Sequence, residues 1–211
     1  MLNEKFVEDY IKGIGTHDDI ALDIGAKYGL YTVPLADKFS KVYAFEPHPS
    51  NANRIRRTLK AQRKTNVEVI QKVIGYEDGK AKLFVTARSD GGHSIMEGLA
   101  THGRWGHNSG KTLEVESITL DTFCKDKKIS FIKCDIEGGE YKIFFHGEDM
   151  LTNNDLTIIL ETHQVSNYDS DQKDRNRLQE HFERFGYTVY GVSGNKVDKM
   201  DHNTHYLIKR G

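Results

Sequence analysis

The stretch IALDIGAKYGLYTVPLADKF, Ile20 to Phe39, passes within a few residues from a compact apolar run to glycine and then to Tyr28, Tyr31, Leu35 and Phe39 at helical spacing. That order is the signature of a buried strand, a glycine turn and a helix, the first half of a βαβ unit. Pro34 lacks an N–H and crowds the preceding turn, so the helix is expected to kink or start late there. Working outward, KVYAFEP (Lys41 to Pro47) reads as a second strand, and PSNANRIRRTLKAQ (Pro49 to Gln62) as a helix capped by Ser50 or Asn51. VEVIQKVIG (Val67 to Gly75) reads as a third strand, and the turn signal EDGK makes AKLFVT (Ala81 to Thr86) its hairpin partner. Further on, TLEVESI alternates like an edge strand, TLDTFCKD gives a short helix, ISFIKCD and LTIILETH are buried strands, and EYKIFFHGEDML between them reads as one helix. DQKDRNRLQEHFERFG is a charged surface helix stopped by Gly186, and YTVYGVS with THYLIKR closes the chain as an antiparallel hairpin at one edge.

Near-continuous apolar strands alternating with helices imply a mostly parallel α/β sheet covered on both faces, with roughly seven core strands. The 211 residues fit a single domain, 1–211, with a lead-in helix over 1–18 and a long irregular tract over 87–111. At that length the tract is expected to be a functional flap or a disordered insert. A net charge of -1 supplies no overall positive field, which argues against nucleic acid as a partner; the basic run RIRRTLKAQRK reads as the solvated face of a helix. Cys124 and Cys134 lie in or beside apolar runs without CxxC spacing, as small buried hydrophobes in a reducing compartment do. No apolar run reaches the roughly 18 residues of a membrane span, and MLNEKFVEDY has no signal-peptide core. A cytoplasmic protein without membrane contact is expected. Oligomeric state is not legible.

In an open α/β sheet ligands bind beyond the carboxyl ends of the strands, where strand order reverses. The first strand ends in DIGAKYG, with Asp23, Gly25 and Gly29; glycine there permits a sharp turn and close approach to a ligand. Glu46 follows at roughly the 20-residue separation at which a carboxylate meets a ribose diol in nucleotide-binding βαβ units. Two cofactors could use this arrangement, a dinucleotide or S-adenosylmethionine. GAKYG is not the GxGxxG that cradles a pyrophosphate, which disfavours the dinucleotide and an NAD-linked oxidoreductase.

Five blocks, LDIGAKYGLYT, AFEPHPSN, ITLDTF, FIKCDIEGGEY and IILETH, stand in the order and spacing of the FkbM-type S-adenosylmethionine-dependent methyltransferases, and between about Ile20 and His163 the chain resembles that family. The resemblance implies a three-layer Rossmann-like class I methyltransferase fold, with a mostly parallel seven-stranded sheet and an antiparallel C-terminal strand. It also implies transfer of a methyl group to oxygen, often on a sugar or natural-product scaffold. Carried onto this sequence, it assigns Asp23, Gly25, Ala26, Tyr28 and Gly29 to the cofactor loop, Glu46 and Pro47 to the ribose, and Lys72 and Val73 to the adenine. His93 and Ser94 lie in a further block resembling the family, GGHSI, and fall near the cofactor. By analogy with other class I folds, Asp135 faces the transferable methyl. Lys27 stands where the family pattern has Asn, so it meets either the methionine carboxylate or solvent.

Methyl transfer from a sulfonium is an in-line displacement in which an alcohol acceptor, held about 3–3.5 Å from the methyl carbon, sheds its proton. Asp135, Glu137, Glu161 and His163 are the candidate catalytic groups at the strand ends. His163 is the side chain matched to base work near neutral pH, whereas Glu140 reads as a helix-start carboxylate favoured by the macrodipole. Asp135, Glu161 and His163 are alternatively a hard-cation set suited to Mg or Mn, so the metal question stays open. The acceptor is expected to be a small molecule or glycan, with Trp105, His102 and His107 in the flap available to it. A module that binds the cofactor without turnover is the alternative from another functional class.

Overall fold

The computed structural model describes residues 2–86, 93–96, 108–164 and 168–211. In chain order the helices are α1 (Leu2–Gly13), α2 (Thr32–Ala36), α3 (Pro49–Ala61), α4 (Leu120–Cys124), α5 (Glu140–Phe145), α6 (Glu148–Asn153) and α7 (Tyr168–Arg184). The strands are β1 (His17–Ile24), β2 (Phe39–Phe45), β3 (Val67–Ile70), β4 (Lys72–Ile74), β5 (Gly79–Thr86), β6 (Asn108–Ile118), β7 (Ile129–Cys134), β8 (Thr157–Thr162), β9 (Tyr187–Gly191) and β10 (Thr204–Arg210). Seven strands form the main sheet in the order β3-β2-β1-β7-β8-β10-β9, with only β10 antiparallel to its neighbours. A second, three-stranded sheet has the order β4-β6-β5.

The period-two alternation of the central strands distributes their side chains between two helical layers. Leu22, Ile24, Ile132, Cys134, Ile158 and Leu160 pack with Leu120, Ile143, Phe144, Met150 and Phe182 from α4 to α7. Their neighbours Ala21, Phe131, Ile159 and Leu207 face Val7, Ile11 and Leu35 from α1 and α2. Both faces are therefore covered, as the apolar runs predict. The strand order reverses between β1 and β7, whose carboxyl ends lie side by side, Ile24 opposite Cys134.

Several local expectations are corrected. The expected third strand is two: Val67–Ile70 joins the main sheet and Lys72–Ile74 the small one, with exposed Gln71 between them. EDGK does not make a hairpin of β4 and β5, because β6 lies between them, parallel to β4 and antiparallel to β5. TLEVESI is thus a central strand of that sheet rather than an edge. The helix expected from Glu140 is broken at Gly147, where a Cβ would approach Leu120 Cδ1 to 3.1 Å. Neither Ser50 nor Asn51 caps α3: the helix starts at Pro49 after His48, and Asn51 turns its side chain toward Glu46. In the closing pair the reversed strand is not the edge, since β10 sits between β8 and β9. By contrast α2 starts late, at Thr32, as Pro34 requires. Gly186 follows α7 at φ +81°, and both cysteines are buried and free. The basic residues Arg54, Arg56, Arg57 and Lys60 are exposed on α3 while Ile55 and Leu59 are buried. Trp105, His102 and His107 lie outside the described residues. No described helix is long and apolar enough to cross a membrane.

Asn154 joins the α6 end to the sheet: its side-chain oxygen accepts from the Ile129 amide at 2.9 Å and its amide donates to the Met150 carbonyl at 2.9 Å, both buried. Asn154→Ala leaves a buried strand N–H unpaired and is expected to cost about 1–3 kcal/mol, read from the urea unfolding midpoint at unchanged m-value.

Candidate active site

After β1 the chain turns at Gly25, φ +79°, where an added Cβ would lie 1.8 Å from the Asp135 carbonyl oxygen at the end of β7. Only glycine lets the two turns approach so closely. Gly25 and Ala26 amides both donate to the Phe45 carbonyl, at 3.1 and 3.0 Å, which fastens the turn to the end of β2. Next, Lys27 takes a left-handed conformation, φ +52°, and its amide donates to Glu46 Oε2 at 2.8 Å. Glu46 Oε1 accepts from the His48 amide at 2.9 Å and from Asn51 Nδ2 at 3.4 Å. Burial nevertheless pushes the Glu46 carboxyl up to about 7, against the hydrogen bonds that favour its charge.

Glu46 opens onto a cavity of about 680 Å³, counted with the open space at its mouth. Its lining is apolar at Ile24, Phe45, Val73, Ile74, Leu83 and Ile136, and carries the carboxylates of Asp135 and Glu137 as well as Glu46. A short segment roofs it: Ser94 exchanges backbone hydrogen bonds with Phe84 and sends its hydroxyl to the Glu137 carbonyl at 2.8 Å, which brings His93 and Ile95 to the wall. His93 stacks on His48, ring centroids 4.6 Å apart, and burial first, then the charges of His48 and Lys27, lowers it to about 4.

Beyond Asp135 the strand ends of β7 and β8 hold a charged cluster. His163 Nδ1 pairs with Glu140 Oε1 at 2.7 Å, and its Nε2 faces Glu137 Oε2 at 3.6 Å and Asp135 Oδ1 and Glu161 Oε1 at 3.7 Å each. Burial alone would lower the imidazole; the charge and hydrogen bond of Glu140, with Asp135 and Glu137, outweigh it and raise His163 to about 10. Burial, then repulsion from Asp135, lifts Glu161 to about 7. Despite burial, Lys133 and His163 hold Asp135 below the ordinary carboxylate range. Ligand atoms of Asp135, Glu161 and His163 lie within 4.8 Å of one another, compatible in donor type with a divalent cation, which would have to displace the imidazolium proton.

This geometry sits at the strand-order reversal of a fold shared with known methyltransferases. The Methyltransferase FkbM domain family matches residues 23–189. The chain belongs to that family. Among solved structures it is similar to an FkbM methyltransferase from Methylobacillus flagellatus, at 17% identity and TM-score 0.54 over 91% of this chain and 43% of that one. It therefore spans less than half the length of that relative. An rRNA methylase from Streptococcus thermophilus shares 14% identity at TM-score 0.54, covering 99% and 97% of the two chains. The Streptococcus mutans protein SMU.1697c, described as a possible methyltransferase and solved in complex with SAH, shares 13% identity at TM-score 0.54, covering 98% and 95%. At these identities the structures establish the class I methyltransferase fold. No curated protein matches the chain.

Within this FkbM domain Gly25, Glu46, Pro47, Lys72, Val73, His93, Asp135 and Glu137 line the cavity, and Glu161 and His163 adjoin it through Asp135. The others stand behind the wall. Asp23 is fully buried and accepts from Thr32 Oγ1 at 2.5 Å, Ala26 packs against Ile55 of α3, Gly29 turns at φ +82° beside Ile55, and Tyr28 lies under Arg54. Ser94 anchors the roof. Lys27 also lines the cavity: its side chain is exposed, its amide holds Glu46, and its charge acts on His93, Asp135 and Glu137. Glu140 opens α5 as expected, yet it is 2% exposed, accepts from the Gly138 amide at 3.0 Å and pairs with His163. Sequence reasoning gave Lys133 no role and Asn51 only that of a helix cap; a lysine inside an apolar strand was the available signal for the first.

Two expectations follow from these values. Gly25→Ala forces the β1 and β7 turns apart and is expected to lower the melting temperature by several degrees and to abolish adenosyl-ligand binding in calorimetry. Glu46 and Glu161 keep their protons to about pH 7 when folded and release them near 4.5 when unfolded, so their contribution to stability declines as pH rises through that window. His163 stabilises fully below about 6.5 and loses this as pH rises through about 10. His93 and His205, both lowered to about 4, oppose the two glutamates below pH 6.5. The melting temperature is therefore expected to fall from pH 7 to 9 as the His163 contribution is lost, and Glu161→Gln to raise the slope between 5 and 7 in a scanning calorimetry series.

Proposed function

We propose that this domain transfers a methyl group from S-adenosylmethionine to a hydroxyl of a sugar or glycosylated metabolite. The observation that carries the reading is that Glu46 and Asp135 open onto one cavity, with Glu161 and His163 in the charged cluster beside Asp135. The residues fit the cofactor: apolar lining for a base, a buried carboxylate in the same wall for a diol, and a glycine turn beside Asp135. Glu46 would hold the ribose hydroxyls, Val73, Ile74 and Phe45 the adenine, and Asp135 with Glu137 the sulfonium end. When bound, the cofactor supplies an electrophilic methyl on positively charged sulfur.

The chain's own groups divide the remaining work. Asp135, kept ionised by Lys133, supplies fixed negative charge at the methyl end. Glu161, poised near 7, is matched to accept the acceptor hydroxyl proton at neutral pH. His163, already protonated, is unable to act as that base; fixed by Glu140, its Nε2 gathers the three carboxylates instead. The proton-accepting role therefore passes from the imidazole to Glu161.

Titration calorimetry with S-adenosylmethionine or SAH is expected to detect binding that Glu46→Ala weakens at least about tenfold, the loss of charge-assisted hydrogen bonds. No heat and no melting shift at millimolar cofactor would overturn the assignment. Mass spectrometry of a sugar panel incubated with isotopically labelled S-adenosylmethionine is expected to show the label on oxygen, and Glu161→Gln to reduce turnover by about 10²-fold or more. Label found on amines alone would refute the hydroxyl acceptor.

A further inference from the structure

Lys133 occupies a place that lysine seldom holds. It lies inside β7, 2% exposed, with apolar Phe131, Ile132 and Cys134 around it in sequence. Its Nζ is 3.4 Å from the Gly25 carbonyl oxygen, 3.4 Å from Asp135 Oδ2 and 3.7 Å from Asp23 Oδ1, and it lies 5.0 Å from the Tyr31 ring centroid. These groups come from both sides of the seam. Asp23, Gly25 and Tyr31 belong to β1 and the turn after it; Asp135 ends β7. Asp23 is in turn fixed by Thr32 Oγ1.

A single charge that only neutralised Asp23 would need no contact with the cofactor turn or with Asp135. Lys133 makes all three. Burying an ammonium is costly unless its donors are satisfied, so the acceptors around it are held in place as firmly as it is. The carboxylates raise its own affinity for a proton above the ordinary lysine range, against the effect of burial, so the charge persists at neutral pH.

We propose that Lys133 is a positioning residue for methyl transfer: its ammonium ties the Gly25 carbonyl to the Asp135 carboxylate and so aims that carboxylate at the sulfonium. The inference rests on the cofactor assignment above. It separates two ligands that differ only by a methyl group and a positive charge on sulfur. Losing the aim weakens S-adenosylmethionine, which carries that charge, and spares SAH, which does not. A general loosening of the pocket weakens both alike.

The test is calorimetric affinity for both ligands in wild type, Lys133→Met, Lys133→Arg and Asp135→Asn, with circular dichroism to establish folding. For Lys133→Met the ratio of the S-adenosylmethionine Kd to the SAH Kd is expected to rise about tenfold, the effect of one charge-assisted contact. Lys133→Arg restores most of it. Asp135→Asn produces the same rise, and adding Lys133→Met to it changes the ratio little, since the two act through one contact. An unchanged ratio, or equal weakening of both ligands, overturns the inference. Should Lys133→Met fail to fold because Asp23 is left unpaired, Asp23→Asn with Lys133→Met removes that charge. Asp135→Asn, which leaves Lys133 beside Asp23, carries the comparison by itself, and an unchanged ratio there is also fatal. If wild type binds neither ligand, the cofactor assignment itself has failed and takes this inference with it.

Discussion

Two backbone turns pressed together set the geometry of the whole open end of this sheet. Gly25 after β1 and Asp135 after β7 approach so closely that no side chain fits between them. The contact exists because strand order reverses at this seam, sending the helices that follow β1 and β7 to opposite faces. Every group of the candidate site is placed relative to it. Glu46 reaches the cavity because the Gly25 turn is pinned to Phe45, and Glu137 because the Asp135 turn continues in a left-handed residue, φ +57°.

Charge is the second constraint. Asp23, Asp135, Glu137, Glu140 and Glu161 crowd the two strand ends with Lys133 and His163 as their near cations. In a poorly hydrated site such groups cannot all ionise independently. The outcome is a separation of roles: Asp135, next to Lys133, is held charged, whereas Glu161, farther from it, is pushed to about 7. One kind of side chain thus provides both a permanent charge and a titratable one, by position alone.

How much of this was legible follows from the range of each interaction. The βα rhythm, the late start of α2 and the strand-end acids were legible because periodicity, proline and glycine act locally. The seven-stranded sheet with its reversed C-terminal strand came from the FkbM resemblance, and its strand order from neither the residues nor the resemblance, since pairing between distant strands leaves no local mark. The same blindness hid the insertion of β6 between β4 and β5, where EDGK carried a true turn signal but the partner strand stood on the far side of residues 87–107. Glu140 opens α5 as expected, but its pairing with a histidine from the neighbouring strand end leaves no local mark. Lys133 stood in plain view in FIKCD, yet Asp23, Gly25 and Tyr31 around it are more than a hundred residues upstream.

The reversed course of β10 has a further effect. Parallel strands deliver only their trailing residues to the catalytic edge, but a strand running the other way delivers its leading ones. His205, second in β10, therefore pairs with Glu161 across the ladder and stands 3.3 Å from its carboxylate. The final strand thus reaches the charged cluster at the ends of β7 and β8 as well as completing the sheet. A chain trimmed before β10 would leave Glu161 without this imidazole and both helical layers without Leu207 and Ile208.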